Sequence, residues 1–153
     1  MEKIKHPILG IGTSEDDFFT FSNCVQLWNK DVILEFIKLG EEVLPEQVET
    51  YEWLVREQRN IKVIVEEKCY EYGKELEEEE ELEISSDNVE AIIVLEEERP
   101  EDIGKFLKLE SVGFSAETKD ESKGCFTLYI EPGWDKEHLI GIQFINFKFD
   151  SIQ

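Results

Sequence analysis

The residues of this 153-residue chain best suited to chemistry lie together near its C-terminus, in Trp134-Asp135-Lys136-Glu137-His138. Asp135, Glu137 and His138 supply two carboxylates and an imidazole. General acid–base work needs such groups converging in a cleft with shifted pKa values. Glu137 and His138 are adjacent, so on any regular element they point apart. A metal site needs ligands that converge, and these three come from one short turn with no second cluster to complete them. Cys125 and His138 could formally make a nucleophile–base pair, but no spacing rule supports one. His6, the other histidine, sits in an N-terminal segment that reads as flexible. The structural reading of His138 is packing against Trp134 with a ring nitrogen on a backbone group. Trp134 is expected to bury its ring while the indole N–H finds an acceptor. These residues therefore lead to no catalytic set, no metal site and no cofactor. The alternative, a small-molecule or metal-handling enzyme, would have to use this same turn.

The flanking sequence explains how the turn is held. Phe126, Leu128 and Ile130 alternate with Cys125, Thr127 and Tyr129, the period-2 pattern of a strand with one buried face. Ile140, Ile142 and Phe144 repeat it after the turn. Pro132-Gly133 is a strong turn signal, because proline fixes φ and glycine tolerates positive φ. Asp135 can cap a short turn over Lys136-Glu137-His138 by accepting backbone N–H groups.

This W-D-x-E-H stretch, followed by an apolar strand, resembles the C-terminus of small uncharacterised bacterial domains of unknown function. The usual form of that motif has glycine after the histidine; Leu139 stands there, and Gly141 comes two residues later. Residues 43–72, VLPEQVETYEWLVREQRNIKVIVEEKCYEY, resemble the two-helix segment of the same family, with its P-x-Q-x-x-x-Y opening. Several such domains lie near toxin genes and are suspected immunity proteins, so the resemblance implies a binding role and no reaction.

Composition narrows the classes further. The chain has the length of one domain with a real core. An apolar content of 41% with ten Phe and three Trp excludes a wholly disordered protein. The net charge of −21 opposes binding to nucleic acid, whose phosphates need a basic footprint, and to anionic membrane surfaces. It favours a basic partner protein. No apolar run is long enough to span a bilayer, and the N-terminal stretch lacks the apolar core of a signal peptide. Cys24, Cys69 and Cys125 are odd in number and widely spaced, which suits a reducing cytoplasm better than a disulfide framework or a zinc site.

The acids are unevenly spread. Residues 75–102 hold 14 of them and one base, Arg99, so they carry −13 of the total. At their heart stand Glu77, Glu78, Glu79, Glu80 and Glu81. A block of like charge repels itself and is ordinarily solvated, as a helix end or as a loop. It is also the natural face to offer a basic partner.

The remaining elements follow from pattern. Residues 1–12 read as a loop or short strand around Gly10 and Gly12, without the third glycine or following helix of a dinucleotide fingerprint. Two β-rich runs over residues 16–39, split by Asn29-Lys30-Asp31, read as a hairpin. Val32, Leu34 and Phe36 share one face, and apolar Ile33 and Ile37 suggest cover on the other as well. Pro45 opens a helix with Val48, Tyr51, Leu54 and Val55 as its buried stripe. Ile61, Ile64, Val65, Cys69 and Tyr72 extend the stripe, with Gly73 near its end. Residues 89–95 fit either a buried strand or a short helix. Pro100 starts another short helix, and residues 111–118 read as a strand leading to a polar turn at 119–123. Phe147 and Phe149 are assigned to a last strand. The whole reads as a single α+β domain over residues 1–153, an antiparallel β-sheet with two helices at about 45–75 packed on one face. The expected function is that of a non-enzymatic cytoplasmic binding protein, of immunity type, for a basic partner.

Overall fold

The computed structural model describes residues 1–27, 30–116 and 123–153. Among them eight strands form one sheet whose spatial order is their order in the chain. They are β1 (Glu2–His6), β2 (Gly10–Ser14), β3 (Phe18–Leu27), β4 (Lys30–Ile37), β5 (Leu107–Phe114), β6 (Phe126–Pro132), β7 (Ile140–Ile145) and β8 (Lys148–Ile152). Neighbours are antiparallel except for β4 and β5, which run parallel. A parallel pair needs a long crossover. The described helices all fall in that crossover: α1 (Pro45–Arg56), α2 (Gln58–Glu78), α3 (Val89–Glu96) and a 3-10 helix (Pro100–Phe106). The fold is thus α+β, but the sheet is larger than expected and not wholly antiparallel, and more than two helices accompany it.

Strand alternation builds the core. Phe19, Phe36, Phe114, Phe126, Phe144 and Phe149 stand in register on six successive strands, β3 to β8. Within this row Phe36 stacks on Phe114 at 4.5 Å and Phe126 on Phe144 at 4.8 Å between centroids. Each fully buried ring contributes about 1.5–3 kcal/mol by leaving water. α1 and α2 bury Val48, Leu54, Ile61, Val65 and Cys69, and α3 buries Ala91, Ile92, Val94 and Leu95. The opposite face of the sheet is open: Ile33 is 45% exposed and Ile37 48%. β4 is central but covered on one side only, contrary to its apolar pattern.

Several boundaries move, each for a local reason. The N-terminal segment is an ordered hairpin, β1 on β2, and His6 is fixed within it. Its Nδ1 accepts the N–H groups of Ile8 and Leu9, and its ring meets Phe21 edge-on. Lys30 and Asp31 belong to β4 and not to the turn of the Asn29-Lys30-Asp31 reading; Asn29 lies outside the described residues. The turn expected at 119–123 lies outside them too, apart from Lys123. Gly73 does not end the second helix, which continues to Glu78. Residues 89–96 are helical, and β5 starts at Leu107. Phe147 is in the β7–β8 turn rather than in β8: Asn146 and Phe147 both have positive φ, as a two-residue type I′ hairpin requires. An aromatic residue tolerates this because its N–H donates to Gly124 O and its ring packs on Trp53.

Candidate interaction surface

The Trp134 turn separates its residues by role. Trp134 is 1% exposed, and a Cβ added at Gly73 of α2 would lie 2.9 Å from its ring. Gly133 allows the chain to press against Phe106, whose carbonyl accepts the Gly133 N–H. Asp135 takes the Glu137 N–H on Oδ1 at 3.1 Å, and its Oδ2 lies 2.9 Å from Nδ1 of His138. His138 is 78% exposed, so it neither packs on Trp134 nor satisfies a backbone group; Asp135 is its partner. Glu137 points to solvent with it. Cys125 precedes β6 and His138 follows it, a separation of roughly 20 Å along an extended strand. Among the described residues no group of three His, Cys, Asp or Glu side chains is arranged to hold a metal. Cys69 is sealed in the core, where burial and the nearby Glu66 charge push its thiol up to about 12.

The acidic residues do not form one uniform run. Glu77 and Glu78 close α2, Glu79 caps it, and Glu80 turns into the left-handed region with φ 57°. The Glu81 N–H then returns to Leu76 O at 3.0 Å and the Glu80 N–H to Glu77 O at 3.1 Å. This is a Schellman ending, in which glycine is the usual left-handed residue. α3 ends in the same way. Glu98 has φ 53°, Arg99 N–H reaches Val94 O at 3.0 Å, and Glu98 N–H reaches Leu95 O at 3.3 Å. Two helices thus place a glutamate where glycine costs least. Both also place acids at the negative end of the helix dipole, which opposes them.

These two ends meet around Lys74. Its Nζ donates to Leu95 O at 3.1 Å and to Glu77 at 3.2 Å, with Glu98 at 3.7 Å and Glu78 at 3.9 Å. Partial burial works to lower its pKa, but the Glu77 hydrogen bond and the charges of Glu77, Glu98 and Glu78 raise it overall. Beside it lies an open groove with Leu82, Ile84 and Ile92 as apolar lining and Glu77, Glu78, Glu80 and Glu96 around them. Ile84 is 66% exposed, an unusual position for an isoleucine. Asn88 holds this segment: Oδ1 accepts from Ser85 N–H at 2.8 Å, and Nδ2 donates to Glu83 O at 2.7 Å and Trp134 O at 2.9 Å. The Trp134 turn and the acidic surface are therefore one connected unit.

Asn88, Lys74 and Thr50 do not stand out in the sequence, and Gln47 does so only within the P-x-Q-x-x-x-Y opening; Gln47 and Thr50 are the buried polar side chains among the described residues. Gln47 accepts Leu44 N–H and donates to the carbonyls of Ile37, Phe114 and Ser115. Thr50 donates to Glu46 O and accepts Gly124 N–H, both at 2.8 Å. The one available signal was Pro45-x-Gln47, since glutamine at the third helical position is half of a capping box.

A family model described as Domain of unknown function (DUF6985) matches residues 10–152, a span that contains both the Trp134 turn and the α1–α2 segment. No curated protein and no solved structure matches the chain. Among the described residues no helix is long and apolar enough to cross a membrane.

Proposed function

The chain belongs to the DUF6985 family, and from that premise we propose a non-enzymatic, cytoplasmic binding protein that grips a basic partner protein with the joined ends of α2 and α3. The observation that carries this reading is the pair Glu80 and Glu98, both held at positive φ where glycine would fit with less strain. A non-glycine residue kept in a costly backbone conformation is a reason to look for function. Both glutamates flank the same acid-rich surface, whose apolar lining gives a partner something to bury beside its charges. Acidity this concentrated speeds encounter with cationic surfaces and repels phosphate backbones. The immunity-type role, binding and neutralising a basic toxin, is supported by the likeness of the Trp134–His138 motif to domains found beside toxin genes. In this reading Trp134 and Asp135 hold the surface and do not touch the partner. An enzyme built on the turn has less support, since His138 and Glu137 face open solvent.

The test captures partners with the tagged chain from its own host, using in parallel a variant with residues 77–81 changed from Glu to Gln. The wild type should retain a basic protein. The variant should associate more slowly and with a weaker salt dependence, while its dissociation rate changes little. Unchanged association kinetics at low salt would make the acids a solubility feature and end the proposal.

A further inference from the structure

We propose that the open face of the sheet is a self-association surface, covered by a second copy of this chain. The register shows a regular relief there. Ser22 pairs with Ile33, Ile33 with Ser111, Ser111 with Tyr129, and Tyr129 with Gly141. The Gly12–Phe21 pair, continued by one step, sets Ile11 beside Ser22. Six adjacent strands, β2 to β7, therefore carry large, small, large, small, large, small side chains in one line. Ile11, Ile33 and Tyr129 all stand exposed. Glycine at 141 is on the same face, since a Cβ there would meet Thr127 and Tyr129. With strands about 4.8 Å apart, apolar ridges recur about every 9.6 Å with gaps between them. A two-fold axis running along the strands between β4 and β5 would set β4 on β5, β3 on β6 and β2 on β7 of the other copy, seating each ridge in a gap. Such a surface fits itself, which is the requirement for an isologous dimer, and alternation of large and small side chains is what lets two layers interlock.

Charge points to the same occupant. No ionisable group of the usual acidic or basic kinds lies in this line. Lys3, Lys5, Lys108 and Lys148 flank it on the same face. Asp31, Glu35, Glu110 and Glu131 offset them, so the face is close to neutral on a chain of net charge −21. Two copies of so acidic a protein repel one another through most other approaches. Meeting here keeps the acid-rich ends of α2 and α3 on the outside of the pair. Eight strands by about five residues give a face of roughly 650 Å² per copy, near the lower limit of specific interfaces. An interface of this size is that of a reversible dimer, one that forms as concentration rises.

Sedimentation equilibrium over a concentration series tests this on the full chain. The wild type should move from the 17.9 kDa monomer toward twice that mass as concentration rises. Ser111→Tyr fills a gap without adding formal charge and should abolish the shift; Ile33→Glu removes a ridge and should do the same. Far-UV circular dichroism and a thermal melt confirm that each variant is folded, and both sites face solvent on a strand. A wild type that stays monomeric throughout overturns the proposal. So does tighter association of Ser111→Tyr, which would mark unspecific apolar contact. Dimerisation unchanged in both variants would overturn it as well, placing the contact at an edge strand.

Discussion

At the scale of single residues, Trp134 and Gly73 are one feature seen from two elements. The indole is buried among α2, α3 and the turn after β6, so Trp134→Ala should cost about 3–5 kcal/mol in a denaturant melt. A loss under about 1 kcal/mol would contradict the packing described for it. Gly73 gives a sharper test. On an exposed helix Gly→Ala gains about 1 kcal/mol, yet here the new methyl would press on Trp134 Cζ2 at 2.9 Å. Gly73→Ala should therefore destabilise the wild type and stabilise the Trp134→Ala chain, a change of sign that a double-mutant cycle reads directly. The burial of Trp134 was legible from its aromatic type and the Pro-Gly turn beside it. The glycine was not, because a helix interior gives no sequence reason to expect an indole against it.

At the scale of elements, one side chain ties the parallel strands to their crossover. Gln47 bridges the end of β4, the end of β5 and the start of α1 through four hydrogen bonds. Gln47→Leu keeps the volume and strands those backbone groups without partners, so it should lower stability by about 1–3 kcal/mol. Equilibrium urea unfolding measures this, and a neutral result would mean that water replaces the amide. The ends of α2 and α3 make the opposite prediction. Glu80→Gly and Glu98→Gly should each stabilise the fold by roughly 0.5–1 kcal/mol while weakening capture of a basic partner. Stabilisation with undiminished capture would leave the positive-φ glutamates without a function. Strands were readable where polar and apolar residues alternate, as in residues 126–130. The parallel β4–β5 pairing was not, because nothing local distinguishes a strand that pairs parallel from one that pairs antiparallel. Residues 89–96 were ambiguous for another reason: a short apolar run fits a buried helix and a buried strand equally.

For the whole molecule, the excess of 37 acids over 16 bases opposes compaction. Screening sets in over about 10 Å at 0.1 M salt, so the melting temperature should rise as NaCl goes from low to near-physiological levels. A flat or falling trend would mean that the acids are already compensated. The architecture also has a kinetic side. Six of the seven connections between sheet neighbours are local in sequence, whereas Ile33 and Ser111, partners across the parallel seam, are separated by the entire helical crossover. Each doubling of a closed loop adds only about 0.6 kcal/mol of entropy, but a closure this long gains nothing until its ends have met. Two ribbons, residues 1–37 and 107–152, can therefore assemble by local search. The barrier then belongs to their joining at Phe36 and Phe114, and the speed at which this protein folds is set at a single seam.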